Sequence, residues 1–195
     1  MIMRANMDHV SIVIVGVGGQ GTLLASRILG QIGMSMEKPV KVSEVHGMSQ
    51  RGGTVITYVR IGEDASPLIE QGGADYILSF ELMEAVRALP YLKKGGTVIA
   101  NTQRIAPMPV VTGAVQYPDD LEAFLRGKAD CVLMDAYSLA EQAGESRAVN
   151  LVLLGALCAI TGGDTAMWDG AIEACVPAKL QEVNKKAFAL GRENA

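Results

Sequence analysis

The 195-residue sequence predicts a single-domain α/β protein: a three-layer, open, mostly parallel Rossmann-like sheet with helices on both faces and a helical C-terminal third. Three observations predict it. Short β-branched runs alternate with stretches of helical periodicity through the first two-thirds of the chain. The first run ends in a glycine-rich turn that opens a helix. The last third loses the strand pattern and keeps only the helical one.

The elements follow in order. Residues 10–15 form a β-branched run of the kind buried in a parallel sheet. Leu24, Ile28 and Ile32 then recur at helical spacing, so residues 20–33 read as a helix stopped by Gly33. Residues 40–45 and 54–61 are the second and third strands. A fourth strand covers 75–80, and a short helix over 81–89 is closed by Pro90. Gly95-Gly96 turns into a strand at 97–101, and Pro107 and Pro109 open an irregular or edge segment to Tyr117. A helix with an Asp N-cap is expected over 119–126, and a buried strand over 130–134 leaves Asp135 at a sheet edge. Helices over 139–144, 149–160 and 164–175 complete the chain with a last one from Pro177, whose Leu180, Val183, Ala187 and Phe188 share a face. No repeat or linker interrupts it, so residues 1–195 form one domain.

Composition narrows the function classes. Apolar residues make up 49% of the chain and charged ones 19%, which suits an ordered globular protein that buries roughly 70% of its unfolded surface. A net charge of −4 offers no footprint for nucleic acid or an anionic membrane. Cys131, Cys158 and Cys175 form no C-x-x-C pair and supply one thiolate too few for a cubane iron–sulfur cluster. With only His9 and His46, a His-rich zinc site is not expected either. The longest apolar stretch, 149–160, carries Asn150 and falls short of the ~18 residues of a spanning helix. A cytoplasmic protein with reduced thiols is the expectation.

Two segments carry chemistry. In Gly16-Val-Gly-Gly-Gln-Gly21, Gly16, Gly18 and Gly21 satisfy G-x-G-x-x-G between a strand and a helix. Gly19 and Gln20 complete the turn. Such glycines permit positive φ and close backbone approach, and the following helix N-terminus suits a phosphate or carboxylate. Glu44, 23 residues beyond Gly21, also stands where a dinucleotide fold keeps its ribose-binding acid. The bland alternative is a tight strand-to-helix turn and nothing more. The second segment, 44–53, reads Glu-Val-His-Gly-Met-Ser-Gln-Arg-Gly-Gly. It places Glu44, His46, Ser49, Gln50 and Arg51 between two strands, with Gly47, Gly52 and Gly53 as hinges. Arg51 is suited to hold a carboxylate or phosphate in bidentate fashion, and His46 to shuttle a proton near neutral pH. Here the bland reading is a polar crossover with Arg51 paired to Glu44. Asn101 ends a strand and is a further binding candidate; Asp135 does the same but suits a helix cap.

The pairing of these two segments resembles the gamma-type domain of the 2-oxoacid:ferredoxin oxidoreductases, nearest to the branch acting on indolepyruvate. The likeness extends through Ser66-Pro-Leu-Ile69, Ala88-Leu-Pro-Tyr-Leu92, Asn101-Thr102, Asp135-Ala136, Asn150 with Leu153-Leu-Gly-Ala156, and Asn184-Lys-Lys-Ala-Phe188. Leu82 departs from it, where proline is the family's residue. The resemblance implies oxidative decarboxylation of an arylpyruvate, with coenzyme A as co-substrate and ferredoxin as electron acceptor. It also implies a large partner subunit, in a heterodimer or heterotetramer, that carries thiamine diphosphate and 4Fe-4S clusters. This chain would bind no cofactor alone. His46 and Arg51 would then face substrate or coenzyme A from one side of a shared active site, helped by the glycine turn, Glu44, Ser49, Gln50 and Asn101. Two rivals stand beside this: a stand-alone NAD(P)- or flavin-binding oxidoreductase using Gly16, Gly18, Gly21 and Glu44, and a non-catalytic assembly subunit.

Overall fold

A computed structural model describes residues 7, 9–45, 53–62 and 66–195. Six strands form one sheet among them: β1 (Val10–Val17), β2 (Val40–Val45), β3 (Thr54–Ile61), β4 (Ala74–Ser79), β5 (Leu92–Asn101) and β6 (Asp130–Met134). Their order is β2-β3-β1-β4-β5-β6. β1, β4, β5 and β6 pair parallel, whereas β3 runs antiparallel to both β1 and β2. Five strands thus share one direction and β3 alone opposes them.

Alternation along the strands divides the core in two. Ile12 and Ile14 face one side of the sheet, where they pack with α1 (Thr22–Ser35) and the C-terminal helices. Val13 and Val15 face the other, with α2 (Leu82–Ala88). Beyond β5 lie the short α3 (Met108–Val111) and α4 (Leu121–Arg126), and α4 joins the α2 layer through Leu121 and Leu125. The first layer is completed by α5 (Ala136–Ala143), α6 (Val149–Thr161), α7 (Thr165–Cys175) and α8 (Ala178–Glu193). Every residue of α6 from Val149 to Cys158 is buried, as expected of a helix apolar on all sides. The three-layer α/β architecture is as the sequence predicts.

Local expectations fare differently. β5 begins at Leu92 rather than residue 97, and the Gly95-Gly96 pair lies within it. Gly95 takes φ +81°, and a Cβ on Gly96 would stand 2.8 Å from the Asp75 carbonyl. The glycines therefore accommodate a register shift against β4 instead of making a turn before the strand. The segment after Pro107 contains the helix α3, started by a proline whose fixed φ suits a first turn. α4 starts at Leu121 with Asp120 in the N-cap position, but that aspartate makes no side-chain cap bond.

The crossovers place the site. From β1 the chain passes through α1 toward β2 on one side, and from β4 through α2 toward β5 on the other. The direction of winding reverses between β1 and β4. Open α/β sheets bind ligands at the carboxyl ends of the strands at such a point.

Candidate functional site at the carboxyl edge of the sheet

The glycine turn lies at this reversal point. Gly19 and Gly21 adopt φ +98° and +86°, left-handed conformations that glycine reaches without steric cost. Gln20 folds back into the turn: its Oε1 accepts from the Val17 N–H at 2.7 Å, and its Nε2 donates to the Phe80 carbonyl at 3.1 Å. The amide therefore ties the end of β1 to the residue after β4. A Cβ on Gly16 would stand 2.8 Å from that Gln20 oxygen and 3.0 Å from the Phe80 Cβ, so a side chain there would displace the Gln20 amide and press on Phe80. Gly21 is the N-cap of α1, and its carbonyl accepts from the Asn150 Nδ2 at 3.3 Å. Only at Gly19, among the turn glycines whose surroundings are defined, would a Cβ meet open space.

Gly19, Gln20 and Gly21 line a cleft of about 430 Å³ that continues over Tyr137, Arg147 and Asn150. The first N–H groups of α1 have no acceptor within the helix and carry its positive dipole end toward this region. Arg147 is 83% exposed and holds Glu145 in a bidentate pair, Nε to Oε1 and Nη2 to Oε2, both at 3.0 Å. That guanidinium pulls the Glu145 carboxyl down to about 2. The Arg147 guanidinium at the cleft is therefore paired within the chain and not a free cation.

The predicted residues separate into groups. Gly19, Gln20 and Gly21 reach the cleft. Gly16 and Gly18 stand beneath it, Gly18 donating to the Gly53 carbonyl at 3.2 Å. That bond joins the base of the glycine turn to the end of the 44–53 segment. Glu44 lies elsewhere: β3 is inserted between β1 and β2, and at ~4.8 Å per strand Glu44 stands about 10 Å to the side of β1. Its Oε1 accepts from the Ser26 hydroxyl of α1 at 3.4 Å, and it does not line the cleft. In a dinucleotide fold the acid-bearing strand adjoins the first strand, so this order removes the geometric basis for reading Glu44 as a ribose ligand. His46, Ser49, Gln50 and Arg51 lie outside the described residues.

Asn101 is fully buried and does not line this cleft. Its Nδ2 donates to the Phe80 carbonyl at 3.2 Å and to Gln103 Oε1 at 3.3 Å, and its Oδ1 accepts from the Ala136 N–H at 3.1 Å. It clamps the ends of β4 and β5 to the start of α5. Asp135 accepts from the Ser138 N–H at 3.0 Å and hydroxyl at 2.6 Å, which makes it the cap of α5 and holds its carboxyl below the usual range. Sequence reasoning missed Tyr137 and the Glu145–Arg147 pair. Asn150 offered a signal, since a lone amide in an apolar helix marks a buried hydrogen bond.

The chain belongs to the pyruvate ferredoxin/flavodoxin oxidoreductase family, whose model matches residues 11–194. Within that class it is 43% identical over 192 residues to indolepyruvate oxidoreductase subunit IorB of Thermococcus kodakarensis, covering 95% of both chains. It is 38% identical to the IorB subunit of Archaeoglobus fulgidus, covering 96% of both. Its fold matches the crystal structure of pyruvate oxidoreductase subunit PORC from Thermotoga maritima, with TM-score 0.73, 22% identity and coverage of 95% and 96%. These relatives are subunits, by name, of larger oxidoreductases.

Proposed function

We propose that this chain is the small subunit of an indolepyruvate (arylpyruvate):ferredoxin oxidoreductase, which converts an aryl 2-oxo acid and coenzyme A to arylacetyl-CoA and carbon dioxide while reducing ferredoxin. The similarity to IorB subunits over nearly the whole of both chains carries the reading. Cys131, Cys158 and Cys175 lie on β6, α6 and α7, and no group of three or more metal-ligating side chains converges among the described residues. Such a donor set does not fit an iron–sulfur cluster, and the sequence holds no Gly-Asp-Gly opening for a diphosphate–metal site. In this reading thiamine diphosphate and 4Fe-4S clusters belong to a large cytoplasmic partner subunit, joined to this chain in a heterodimer or heterotetramer.

What this chain contributes is position and charge. β2 ends and β3 begins at the carboxyl edge of the sheet, and the Gly53 carbonyl just before β3 accepts from the Gly18 N–H of the glycine turn. In this reading Arg51 holds the carboxylate of the 2-oxo acid or a phosphate of coenzyme A, and His46 manages a proton of the reaction. Ser49 and Gln50 add hydrogen bonds. The cleft with Gly19 at its floor and Arg147 at its rim takes a phosphate group of the co-substrate.

Reconstitution of the full chain with the large subunit tests this. Coenzyme A-dependent reduction of ferredoxin by indolepyruvate is expected from the complex and from neither subunit alone. Arg51→Ala and His46→Ala in assembled complexes are expected to lose roughly 10²-fold in kcat/KM. Turnover near wild type in both would remove the catalytic role of the segment, and activity of the isolated chain would remove the subunit reading.

A further inference from the structure

On the α2 side of the same edge lies a second, smaller cavity of about 120 Å³. Two buried carboxylates border it, Glu81 at 1% exposure and Glu84 at 4%. Glu81 is satisfied: its Oε1 accepts from the Tyr117 hydroxyl and from the Ile105 N–H at 3.1 Å, and its Oε2 from the Glu84 N–H at 3.0 Å. Glu84 is not. Its Oε1 takes the Arg87 guanidinium at 2.5 Å, while its Oε2 is buried with no hydrogen-bond partner among the described residues. A carboxylate oxygen in that state costs free energy until a donor reaches it, and native proteins rarely leave one so. Arg87 is 52% exposed and Arg104 faces solvent, so neither supplies a second buried cation.

Apart from Glu81, Glu84 and Arg87, the lining of the cavity is apolar and pliable. Val17, Met83, Pro107 and Met108 line it together with Glu84, and unbranched methionines shift at little cost. Its rim continues into an exposed apolar ridge of Met108 at 69% and Val111 at 65%. A carboxylate beneath apolar walls matches a side chain with an aliphatic stem and a cationic head.

We propose that this socket receives a lysine or arginine side chain of the large partner subunit, with the Met108–Val111 ridge buried around the point of entry. The assignment rests on the reading of the chain as one subunit of a hetero-oligomer. The incoming cation supplies the donor that Glu84 Oε2 lacks, and the ridge supplies the apolar contact that surrounds it. A desolvated charge pair of this kind, ringed by apolar side chains, is what anchors protein interfaces.

The test is the affinity of the full-length chain for the purified large subunit, by calorimetry at low and high salt. Glu84→Gln keeps the shape of the side chain and removes its charge. It is expected to weaken association at least tenfold and to flatten its salt dependence, while the melting temperature of the isolated chain stays level or rises. Affinity within twofold of wild type overturns the proposal. Met108 is exposed, so Met108→Asp preserves the fold whatever Glu84→Gln does. It too is expected to lose at least tenfold, and unaltered binding overturns the docking ridge. Failure of the wild-type chain to bind the large subunit removes the functional reading as well, whereas wild-type binding with both variants unaffected removes the socket alone. A melting temperature of the isolated wild-type chain that rises with methylguanidinium, with affinity unchanged in Glu84→Gln, assigns the cavity to a small cation and overturns docking. Dimerisation of the isolated chain that Met108→Asp dissolves assigns the ridge to a second copy, with the same consequence.

Discussion

Gly21 illustrates how several demands fall on one position. Its φ of +86° disfavours any residue with a Cβ, and that Cβ would stand 2.9 Å from the Asn150 amide nitrogen that holds its carbonyl. Gly21→Ala is therefore expected to cost about 2 kcal/mol, from the left-handed backbone and the displaced amide together. At this chain length that lowers Tm by roughly 4–8 °C. Gly19→Ala has the strained φ but open space, so calorimetry should show about half that loss. The thiol of Cys158 follows a different logic. Burial pushes its pKa up from the ordinary 9.0, with Arg192 opposing, so the folded chain holds the proton after the unfolded chain has released it. A group raised in this way stabilises the fold below its unfolded value, and the contribution is lost as pH climbs through the folded one. Unfolding free energy should decline above pH 9, and iodoacetamide should spare Cys158 in the native chain while labelling all three cysteines in urea. Equal native labelling rates would contradict the buried placement.

At the scale of elements, the crossing of α6 and α8 is made by two glycines. A Cβ on Gly155 would run into the Phe188 carbonyl, and one on Gly191 into the Val152 carbonyl. The helix backbones touch there. Gly155→Ala or Gly191→Ala must push them apart, at an expected cost of about 3 kcal/mol each, measurable by urea denaturation. Periodicity revealed the helices over 149–160 and from residue 177, because each carries its own apolar pattern. It could not reveal that they meet at glycines, since a glycine in a helix weakens the local signal that would announce it. Strands show the same division. β2, β3 and β6 have the limits that their β-branched runs suggest. The insertion of an antiparallel β3 between β1 and β2 was not legible, because partner choice depends on residues distant in the chain. That insertion also carries Glu44 away from the glycine turn.

For the whole molecule, the single tryptophan gives a reporter. Trp168 is 1% exposed and packs on Phe188 with ring centroids 5.4 Å apart, inside the core that joins α1 and the C-terminal helices to the sheet. Its emission should shift to the red on unfolding, in step with far-UV circular dichroism. Separate transitions would show that the C-terminal layer melts apart from the sheet. In the subunit reading, both clefts lie on the carboxyl edge, one on each face of the sheet, with Ile105 lining both. One face is then proposed to meet the co-substrate and the other the partner.

The amino-acid order alone determined the α/β class, most element limits and the glycine turn, because these depend on the rotamer, φ and burial preferences of neighbouring residues. It also brought out the family resemblance through the two polar segments. Only the tertiary structure decided that Asn101 and Gln20 bind the protein to itself. It alone gathered Gly19, Tyr137 and the Glu145–Arg147 pair around one cleft, and left Glu84 with an unanswered oxygen. Such outcomes depend on which distant backbone atom lies within hydrogen-bond distance of a side chain, and residues separated by 60 or 129 positions acquire that distance only when the sheet and its helices close.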